Sequence, residues 1–187
     1  MFRLSMWNAW VMSLPFFVIG LFFLGLKKDV AKRMSDMTGY SARERAFTIL
    51  ASVAPYPFMI VTVWIPFTTT LPLLYLGISL YVIGMVLYTA SLNAIIRTSS
   101  GELFARGPYR YTRNPLYVAA TIVFMGICFA TGNILLAGYL AVAVVPQHFM
   151  ISAEERICKH RYGLVFEDYL KKVPRYLFTI RYPTREL

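Results

Sequence analysis

Residues 105–120, ARGPYRYTRNPLYVAA, place three arginines, three tyrosines and two prolines directly before an uncharged apolar segment. Gly107-Pro108 predicts a turn, and Pro115 predicts the first turn of a helix, because proline fits there without losing a hydrogen bond. Asn114 precedes this proline, so it is expected to be extended and to cap the helix. Free N–H groups and the positive dipole end at such a helix start suit an anionic ligand group.

Three tyrosines of the same stretch can contribute aromatic ring faces. Tyr109, Tyr111 and Tyr117 could line a site for a cation or an adenine ring. The competing interpretation is an interfacial belt, because aromatic and arginine side chains commonly lie at headgroup depth in membrane proteins. These residues by themselves leave both interpretations open.

A second polar group, in PQHFMISAEER (residues 146–156), begins inside an apolar segment and continues along the same predicted helix. Helical spacing gives two adjacent faces, one with Gln147, Ile151 and Glu154 and the other with His148, Ser152 and Glu155. Gln147 and His148 lie inside an apolar segment, where polar side chains usually face a cavity or a partner. An ion pair between Glu155 and Lys159, four residues later, is the competing interpretation. It does not explain two adjacent glutamates on a face that begins in an apolar segment.

Five apolar segments are the elements that must position these groups. No charged residue occurs in 4–26, 46–96 or 114–153, and runs of that length fit a bilayer better than the core of a small soluble protein. We therefore predict membrane spans at about 5–26, 46–66, 71–92, 116–131 and 134–152, each near the required length of about 20 residues. The fourth is short, so the fourth and fifth are expected to form a tight helical hairpin.

Glycines and prolines within these spans predict their local geometry. Pro55 and Pro57 should kink the second span. Gly77, Gly84 and Ser91 recur every seven residues on the third span and predict close contact with a neighbouring helix.

Lysine and arginine placement predicts the orientation in the membrane. The loops 27–45 and 93–115 and the C-terminal segment 153–187 are rich in lysine and arginine, whereas the turns 67–70 and 131–133 carry none. The positive-inside rule then predicts five transmembrane helices with the N-terminus outside and the basic segments in the cytoplasm. The net charge of +10 fits this topology and attraction to anionic lipid headgroups, and it does not indicate nucleic-acid binding.

Beyond Gly163 the pattern predicts an amphipathic helix that ends before Pro174. Its apolar side is expected to carry Val165, Phe166, Tyr169, Leu170 and Val173, and its polar side Glu167, Asp168, Lys171 and Lys172. We expect this helix to anchor the chain and to cover the site. The predicted fold class is all-α and integral to the membrane, with five transmembrane helices and a C-terminal amphipathic cytoplasmic helix.

Together these features resemble the isoprenylcysteine carboxyl methyltransferase family and its relatives among membrane phospholipid methyltransferases. That family carries G-x-Y-x-x-x-R-H-P-x-Y, then E-E, then a segment that ends in V-P. The corresponding stretches are GPYRYTRNPLY (107–117), Glu154-Glu155 and YGLVFEDYLKKVP (162–174), and the resemblance covers about residues 93–176. Asn114 replaces the histidine of the family, so this position can form hydrogen bonds but cannot titrate.

The resemblance implies one domain, 1–187, with a membrane scaffold in 1–92 and a cofactor-binding and catalytic half in 93–187. The implied cofactor is S-adenosylmethionine, with S-adenosylhomocysteine as product and no metal. Its implied binding residues are Leu103, Phe104, Gly107, Tyr109, Asn114, Pro115, Leu116, Tyr117, Glu154, Glu155 and His160. Arg113 and Glu154 are the implied catalytic residues, and Arg113, Gln147 and His148 the implied substrate-binding residues. Glu154 is preferred over Glu155 as partner of the cofactor ammonium, because Lys159 competes for Glu155.

The implied reaction is methyl transfer to a lipophilic acceptor that enters from the lipid bilayer, with carboxyl O-methylation of the isoprenylcysteine type favoured. A carboxylate acceptor is ionised at neutral pH and needs no base. N-methylation of a phospholipid or another lipid amine is the first alternative, and it needs a base such as His148 or His160. A sterol-type reductase that uses NADPH and a non-enzymatic transport or assembly protein are the remaining alternatives.

Overall fold

The computed structural model describes residues 8–27, 32, 34–99 and 101–176, and this part is helical apart from one isolated bridge between Asn8 and Pro66. The helices are α1 (Trp10–Leu26), α2 (Ala42–Val53), α3 (Pro55–Thr62), α4 (Leu71–Arg97), a 3-10 turn (Gly107–Arg110), α5 (Pro115–Thr131), α6 (Ile134–Tyr162) and α7 (Leu164–Lys172). The start of the predicted first span, Lys28 and Arg33 of the first basic loop, and the basic residues after 176 lie outside the described residues.

Local sequence signals set the bounds of the second predicted span. The side chain of Ser41 accepts from the amide of Glu44 at 3.3 Å, and the carboxylate of Glu44 accepts from the amide of Ser41 at 2.7 Å. This capping box starts α2 at Ala42, so Arg43 and Arg45 belong to a helix rather than to the predicted loop. Ala54 separates α2 from α3, directly before Pro55, where the sequence predicts a kink.

Three segments are helices long and apolar enough to cross a membrane: Ala42–Thr62, Leu71–Arg97 and Ile134–Tyr162. Helices α1 and α5 are also apolar, but each has 17 residues, against the roughly 20 needed for a full crossing. The predicted all-α class is therefore confirmed, with three candidate membrane spans, and the count of five spans stays a prediction. Helix α6 continues beyond the predicted span through both glutamates to Tyr162, as the helical faces assigned to Glu154 and Glu155 require.

Helices α4 and α5 pack closely where both carry glycine. A Cβ atom added at Gly126 would lie 2.6 Å from the amide nitrogen of Tyr81, and one added at Gly84 would lie 2.8 Å from that of Val123. Gly77 also faces the backbone of α5 without room for a side chain. The predicted small-residue contact is thus confirmed, since only glycine lets the two backbones approach this closely.

The outer surface of the bundle is strongly apolar. Large apolar side chains that are more than half exposed include Leu21, Phe22, Val86, Ile134 and Val142. An apolar core around Phe16, Phe58, Tyr88 and Phe124 lies between the helices. Apolar residues on both the inside and the outside are expected of a bundle whose outer surface contacts lipid.

The predicted basic and uncharged connections lie at opposite ends of the bundle. The ammonium group of Lys27 donates to the carbonyl oxygen of Ile96 at 2.6 Å, which joins the end of α1 to the end of α4. At the other end, Gly132 lies close to Thr69, which brings the two uncharged turns together. The end that faces the cytoplasm stays a prediction from the positive-inside rule.

Helix α7 buries Phe166 and Tyr169 and, just after its end, Val173. These residues pack against a cluster that includes Leu103. Val165, predicted on the same side, is instead 55% exposed, because it lies about 100° around the helix from Phe166. The cytoplasmic position of this helix stays a prediction.

Candidate active site

A partly open cavity of about 160 Å³ lies at the end of the bundle that carries the basic loops. Its walls come from the end of α4, the motif turn (residues 107–114), the start of α5, the second half of α6, and α7. The predicted site residues that line it are Leu103, Phe104, Tyr109, Arg113, Asn114, Leu116, Tyr117, Glu154 and Glu155. The structure thus brings together side chains that are up to 52 positions apart in the sequence, from 103 to 155.

The other five predicted residues lie away from the cavity wall. Gly107 opens the 3-10 turn with a φ of +57°, and Pro115 is buried in the first turn of α5. His160 is exposed near the end of α6. Gln147 donates to helix α5, and His148 contacts the C-terminal segment instead. The binding roles implied for these five residues stay predictions.

The two predicted faces of α6 are confirmed by their contacts. On the first face, Gln147 donates to the carbonyl oxygen of Tyr117 at 3.4 Å and to the hydroxyl of Thr121 at 3.2 Å. On the second, the ring nitrogen Nδ1 of His148 lies 2.7 Å from the hydroxyl of Tyr176. The first face therefore packs on α5 and the second on the end of the described chain.

The carboxylate of Glu154 lines the cavity and has few hydrogen-bond partners among the described residues. The hydroxyl of Tyr117 donates to its Oε1 atom at 2.6 Å. Within residues 8–27, 32, 34–99 and 101–176, no lysine or arginine forms an ion pair with it. A carboxylate held by one neutral donor can accept a cationic group of a ligand.

Glu155, in contrast, is surrounded by donors. Arg175 donates to its Oε2 atom from Nε at 3.1 Å and from Nη2 at 2.6 Å, and Asn114 donates to its Oε1 atom at 3.1 Å. The Nε atom of Arg113 lies 3.4 Å from the same Oε1. The predicted competitor Lys159 pairs with Glu167 instead, at 3.0 Å. The sequence-based reason for preferring Glu154 is therefore wrong, because arginines distant in sequence, rather than Lys159, compete for Glu155.

Asn114 does not cap α5, contrary to the prediction. Its φ and ψ of −126° and 50° are outside the usual cap region, and its side chain makes no capping hydrogen bond. The side-chain amide instead donates to Glu155 and, at 3.3 Å, to the carbonyl oxygen of Arg175. As a result, the helix starts at the cavity without a side-chain cap, where Leu116 and Tyr117 provide early N–H groups.

The tail segment (residues 173–176) runs alongside the motif turn. The amide of Arg113 donates to the carbonyl oxygen of Pro174 at 2.9 Å, and the hydroxyl of Thr112 donates to that of Arg175 at 3.0 Å. Helix α7 adds a third connection, since the hydroxyl of Tyr169 donates to the carbonyl oxygen of Tyr109 at 2.6 Å. The end of the described chain therefore holds the turn that carries the first motif.

Aromatic rings form much of the cavity wall. The ring centroids of Phe104 and Tyr109 lie 6.0 Å apart. Burial raises the pKa of Tyr109 and of Tyr169 far above the usual value for tyrosine. Both hydroxyls are protonated at neutral pH, and that of Tyr169 donates to the carbonyl oxygen of Tyr109.

The segment before α2 also reaches the cavity, through Asp36 and Tyr40. Arg156 donates to both carboxylate oxygens of Glu44, at 2.9 and 2.7 Å, and to the carbonyl oxygen of Gly39 at 2.9 Å. Sequence reasoning assigned this segment to the scaffold. The capping box of Ser41 was readable in the sequence, but a partner 112 residues away was not.

Comparison with known protein families gives a match to the central part of the chain. Residues 72–164 match the phospholipid methyltransferase family. This region of the chain belongs to that family. The relationship predicted from the three motifs is confirmed, because this family is part of the isoprenylcysteine carboxyl methyltransferase-like group. No curated protein and no solved structure matches the chain.

The phospholipid methyltransferase region contains helices α4 to α6, the motif turn and both glutamates. The family indicates a membrane-bound methyltransferase that acts on a lipid-like substrate. Tyr169 and Arg175, which contact the motif turn and Glu155, come after this region. The last part of the cavity wall thus comes from outside the matched region.

Proposed function

We propose that the chain transfers a methyl group from S-adenosylmethionine to a lipophilic acceptor, and that the attacking group of the acceptor is a carboxylate, as in isoprenylcysteine carboxyl methyltransferases. One observation carries the proposal. The partly buried carboxylate of Glu154, bonded to Tyr117 at 2.6 Å, lies in an aromatic cavity beside a guanidinium and an uncapped helix start. This set matches a ligand that carries an ammonium, a carboxylate and a planar ring.

The residues present fit the cofactor in chemical terms. Glu154 would hold its ammonium group, and the N–H groups of Leu116 and Tyr117 would hold its carboxylate at the positive end of α5. The rings of Phe104 and Tyr109 offer faces to adenine or to the sulfonium. When bound, S-adenosylmethionine supplies an electrophilic methyl group.

Arg113 is the residue that we propose for the acceptor carboxylate. Its guanidinium lines the cavity, and its Nε atom is buried without a hydrogen-bond partner in the described part of the chain. A guanidinium can bind a carboxylate through two parallel hydrogen bonds. Fixing the acceptor in this way contributes orientation, which is worth up to roughly 7–11 kcal/mol of the barrier.

The cavity favours an acceptor that needs no general base. Neither His148 nor His160 lines the cavity, so neither histidine is positioned to remove a proton from an ammonium. A carboxylate is already ionised at neutral pH. Its lipid chain would approach from the apolar surface of the bundle, while its polar end reaches Arg113.

N-methylation of a lipid amine is the second candidate, and it is equally compatible with the match to the phospholipid methyltransferase family. In this case Glu154 would accept the proton that the amine must lose before it attacks. The two candidates therefore assign different roles to the same carboxylate.

Calorimetric titration of the detergent-purified protein with S-adenosylhomocysteine tests cofactor binding. We expect saturable binding that Glu154→Gln weakens at least tenfold, on the order of one charge-assisted hydrogen bond. Glu167→Gln serves as matched control, because it removes the same charge from a carboxylate that pairs with Lys159 at the surface and does not line the cavity. A folded wild type that does not bind would refute the proposal.

Transfer of labelled methyl groups distinguishes the two acceptors. The protein would be incubated with labelled S-adenosylmethionine and either an N-acetyl prenylcysteine or phosphatidylethanolamine vesicles. Methyl esters release labelled methanol in alkali, whereas methylamines do not. Label that is stable to alkali and appears only with phosphatidylethanolamine would favour the second candidate.

A further inference from the structure

Two arginines lie close to the carboxylate of Glu155, but only Arg175 forms hydrogen bonds with it. Arg175 donates to Oε2 from two nitrogen atoms, at 3.1 and 2.6 Å. Arg113 approaches Oε1 with its Nε atom at 3.4 Å, yet this atom has no hydrogen-bond partner among the described residues. Asn114 donates to that same Oε1 at 3.1 Å. The hydrogen bonds to the two carboxylate oxygens of Glu155 are therefore made by Arg175 and Asn114, and not by Arg113.

We propose that Arg175 is a positioning residue: by neutralising Glu155, it leaves the guanidinium of Arg113 free to bind the carboxylate of a ligand in the cavity. This inference rests on the proposed methyltransferase function. Arg175 lies outside the matched family region, and its proposed role is to act on Arg113, which lies inside that region.

The backbone and side chain of Arg175 are both fixed in place. Its carbonyl oxygen accepts from the hydroxyl of Thr112 at 3.0 Å and from the side-chain amide of Asn114 at 3.3 Å. Its Nη1 atom donates to the hydroxyl of Ser152 at 3.3 Å. These contacts hold the guanidinium against Glu155 and limit its reach into the cavity.

Removal of Arg175 changes the partner of Arg113. The side chains of Arg113 and Glu155 are only 14% and 12% exposed, and an unpaired buried charge is strongly unfavourable. In Arg175→Gln, Arg113 becomes the nearest cation to Glu155 among the described residues, so it turns toward that carboxylate. A ligand carboxylate then loses its guanidinium partner. Glu155→Gln removes the negative charge, so Arg113 is no longer attracted toward residue 155.

The ligand carboxylate can belong to the amino-acid end of the cofactor or to the acceptor. S-adenosylhomocysteine has the first carboxylate, and methylthioadenosine, which shares its nucleoside and thioether, lacks it. An N-acetyl prenylcysteine has the second, and the corresponding amide lacks it. Comparing each pair separates the two sources.

The experiment measures calorimetric affinities for both nucleosides, and KM and kcat for the prenylcysteine. The proteins are the wild type, Arg175→Gln, Glu155→Gln and the double variant. Lys171→Gln is the matched control, because Lys171 is exposed on α7 and pairs only with Asp168 on the surface among the described residues. Binding of methylthioadenosine reports whether the variants retain a folded cavity.

For a cofactor carboxylate, we expect Arg175→Gln to weaken S-adenosylhomocysteine binding about tenfold and to leave methylthioadenosine within about twofold. For an acceptor carboxylate, we expect KM to rise about tenfold with little change in kcat. In both cases the double variant should behave like Glu155→Gln alone, to within about threefold. The amide of the prenylcysteine should bind equally well to both single variants and the wild type.

Equal losses for both nucleosides would overturn the inference, because they would indicate a merely structural role of the tail segment. Unchanged affinities and KM in Arg175→Gln would also overturn it. So would a double variant whose S-adenosylhomocysteine affinity and KM are no closer to the wild-type values than those of Arg175→Gln. Absence of S-adenosylhomocysteine binding by the wild type would instead refute the proposed function, and this inference with it.

Discussion

The variant Tyr169→Phe removes a single hydroxyl that connects α7 to the motif turn. In the wild type this hydroxyl donates to the carbonyl oxygen of Tyr109 at 2.6 Å, and both residues are buried. Phenylalanine retains the ring and its packing against Phe166. The substitution therefore isolates the contribution of one hydrogen bond.

The magnitude follows from the burial of the acceptor. A buried carbonyl oxygen left without its donor costs about 1–3 kcal/mol. For a chain of this length, each kcal/mol lowers the midpoint of thermal unfolding by about 2–4 °C. We therefore expect Tm to fall by at least about 2 °C and the affinity for S-adenosylhomocysteine to fall as well, because Tyr109 lines the cavity.

The effect should not depend on pH near neutrality. Burial raises the pKa of Tyr169 above its ordinary value, so the hydroxyl is protonated in the folded and the unfolded protein below about pH 10. A raised pKa contributes stability that is fully present below the unfolded pKa and is lost as pH rises through the folded pKa. The difference in Tm between the two proteins should thus be constant between about pH 6 and pH 9.

Thermal unfolding in detergent, with and without S-adenosylhomocysteine, measures both effects. Tyr111→Phe is the matched control, because Tyr111 lies in the same motif turn and is only partly buried. A Tyr169→Phe protein as stable as this control would show that the hydrogen bond is not needed to hold α7. A difference in Tm that grows or shrinks between about pH 6 and pH 9 would contradict the pKa argument.

Three further substitutions test other contacts. Gly126→Ala should destabilise the protein by about 1–3 kcal/mol, because its Cβ would lie 2.6 Å from the amide nitrogen of Tyr81 and the helices would have to separate; thermal unfolding measures this. Arg156→Gln should release the segment before α2 and weaken S-adenosylhomocysteine binding, because it removes the hydrogen bond to the carbonyl oxygen of Gly39 together with the two to Glu44 at the start of α2; faster tryptic cleavage within 32–45 would confirm the release. His160→Ala should bind this ligand within about twofold of the wild type, since the side chain is exposed; a larger loss by calorimetry would restore the role implied by resemblance.

Periodicity in the sequence was enough to predict that Gln147 and His148 lie on different faces of α6. Gln147 and His148 are neighbours in sequence, yet one contacts α5 and the other contacts Tyr176, as the helical spacing predicts. The glycines of α4 likewise indicated a close helix contact before its partner in α5 was known. Such features depend on regular geometry and residue size, which a sequence contains directly.

The charged contacts around the cavity were not predictable in the same way. The side chain of Asn114 does not cap α5 as expected, because its amide donates to Glu155, 41 residues away. Arg175 reaches the same carboxylate across a helix and a turn, and no local pattern in the sequence distinguishes it from the other basic residues near the end of the chain. Local propensity favours a cap, but a buried carboxylate requires donors, and this requirement decides where both side chains point.

Helix α6 also bears on how deep in the bilayer the proposed reaction would take place. It runs without interruption from Ile134 to Tyr162, and the 20 residue steps from Ile134 to Glu154 correspond to about 30 Å, the thickness of the hydrocarbon layer. If the helix enters the layer at Ile134, the carboxylate of Glu154 lies at the opposite boundary between hydrocarbon and headgroups. A lipid acceptor would then need to bring only its polar end to that boundary while its chain stays among other lipids. Membrane thickness and helix tilt would consequently set the distance between the polar end of the acceptor and the cofactor. Activity should therefore vary with the acyl-chain length of the surrounding bilayer.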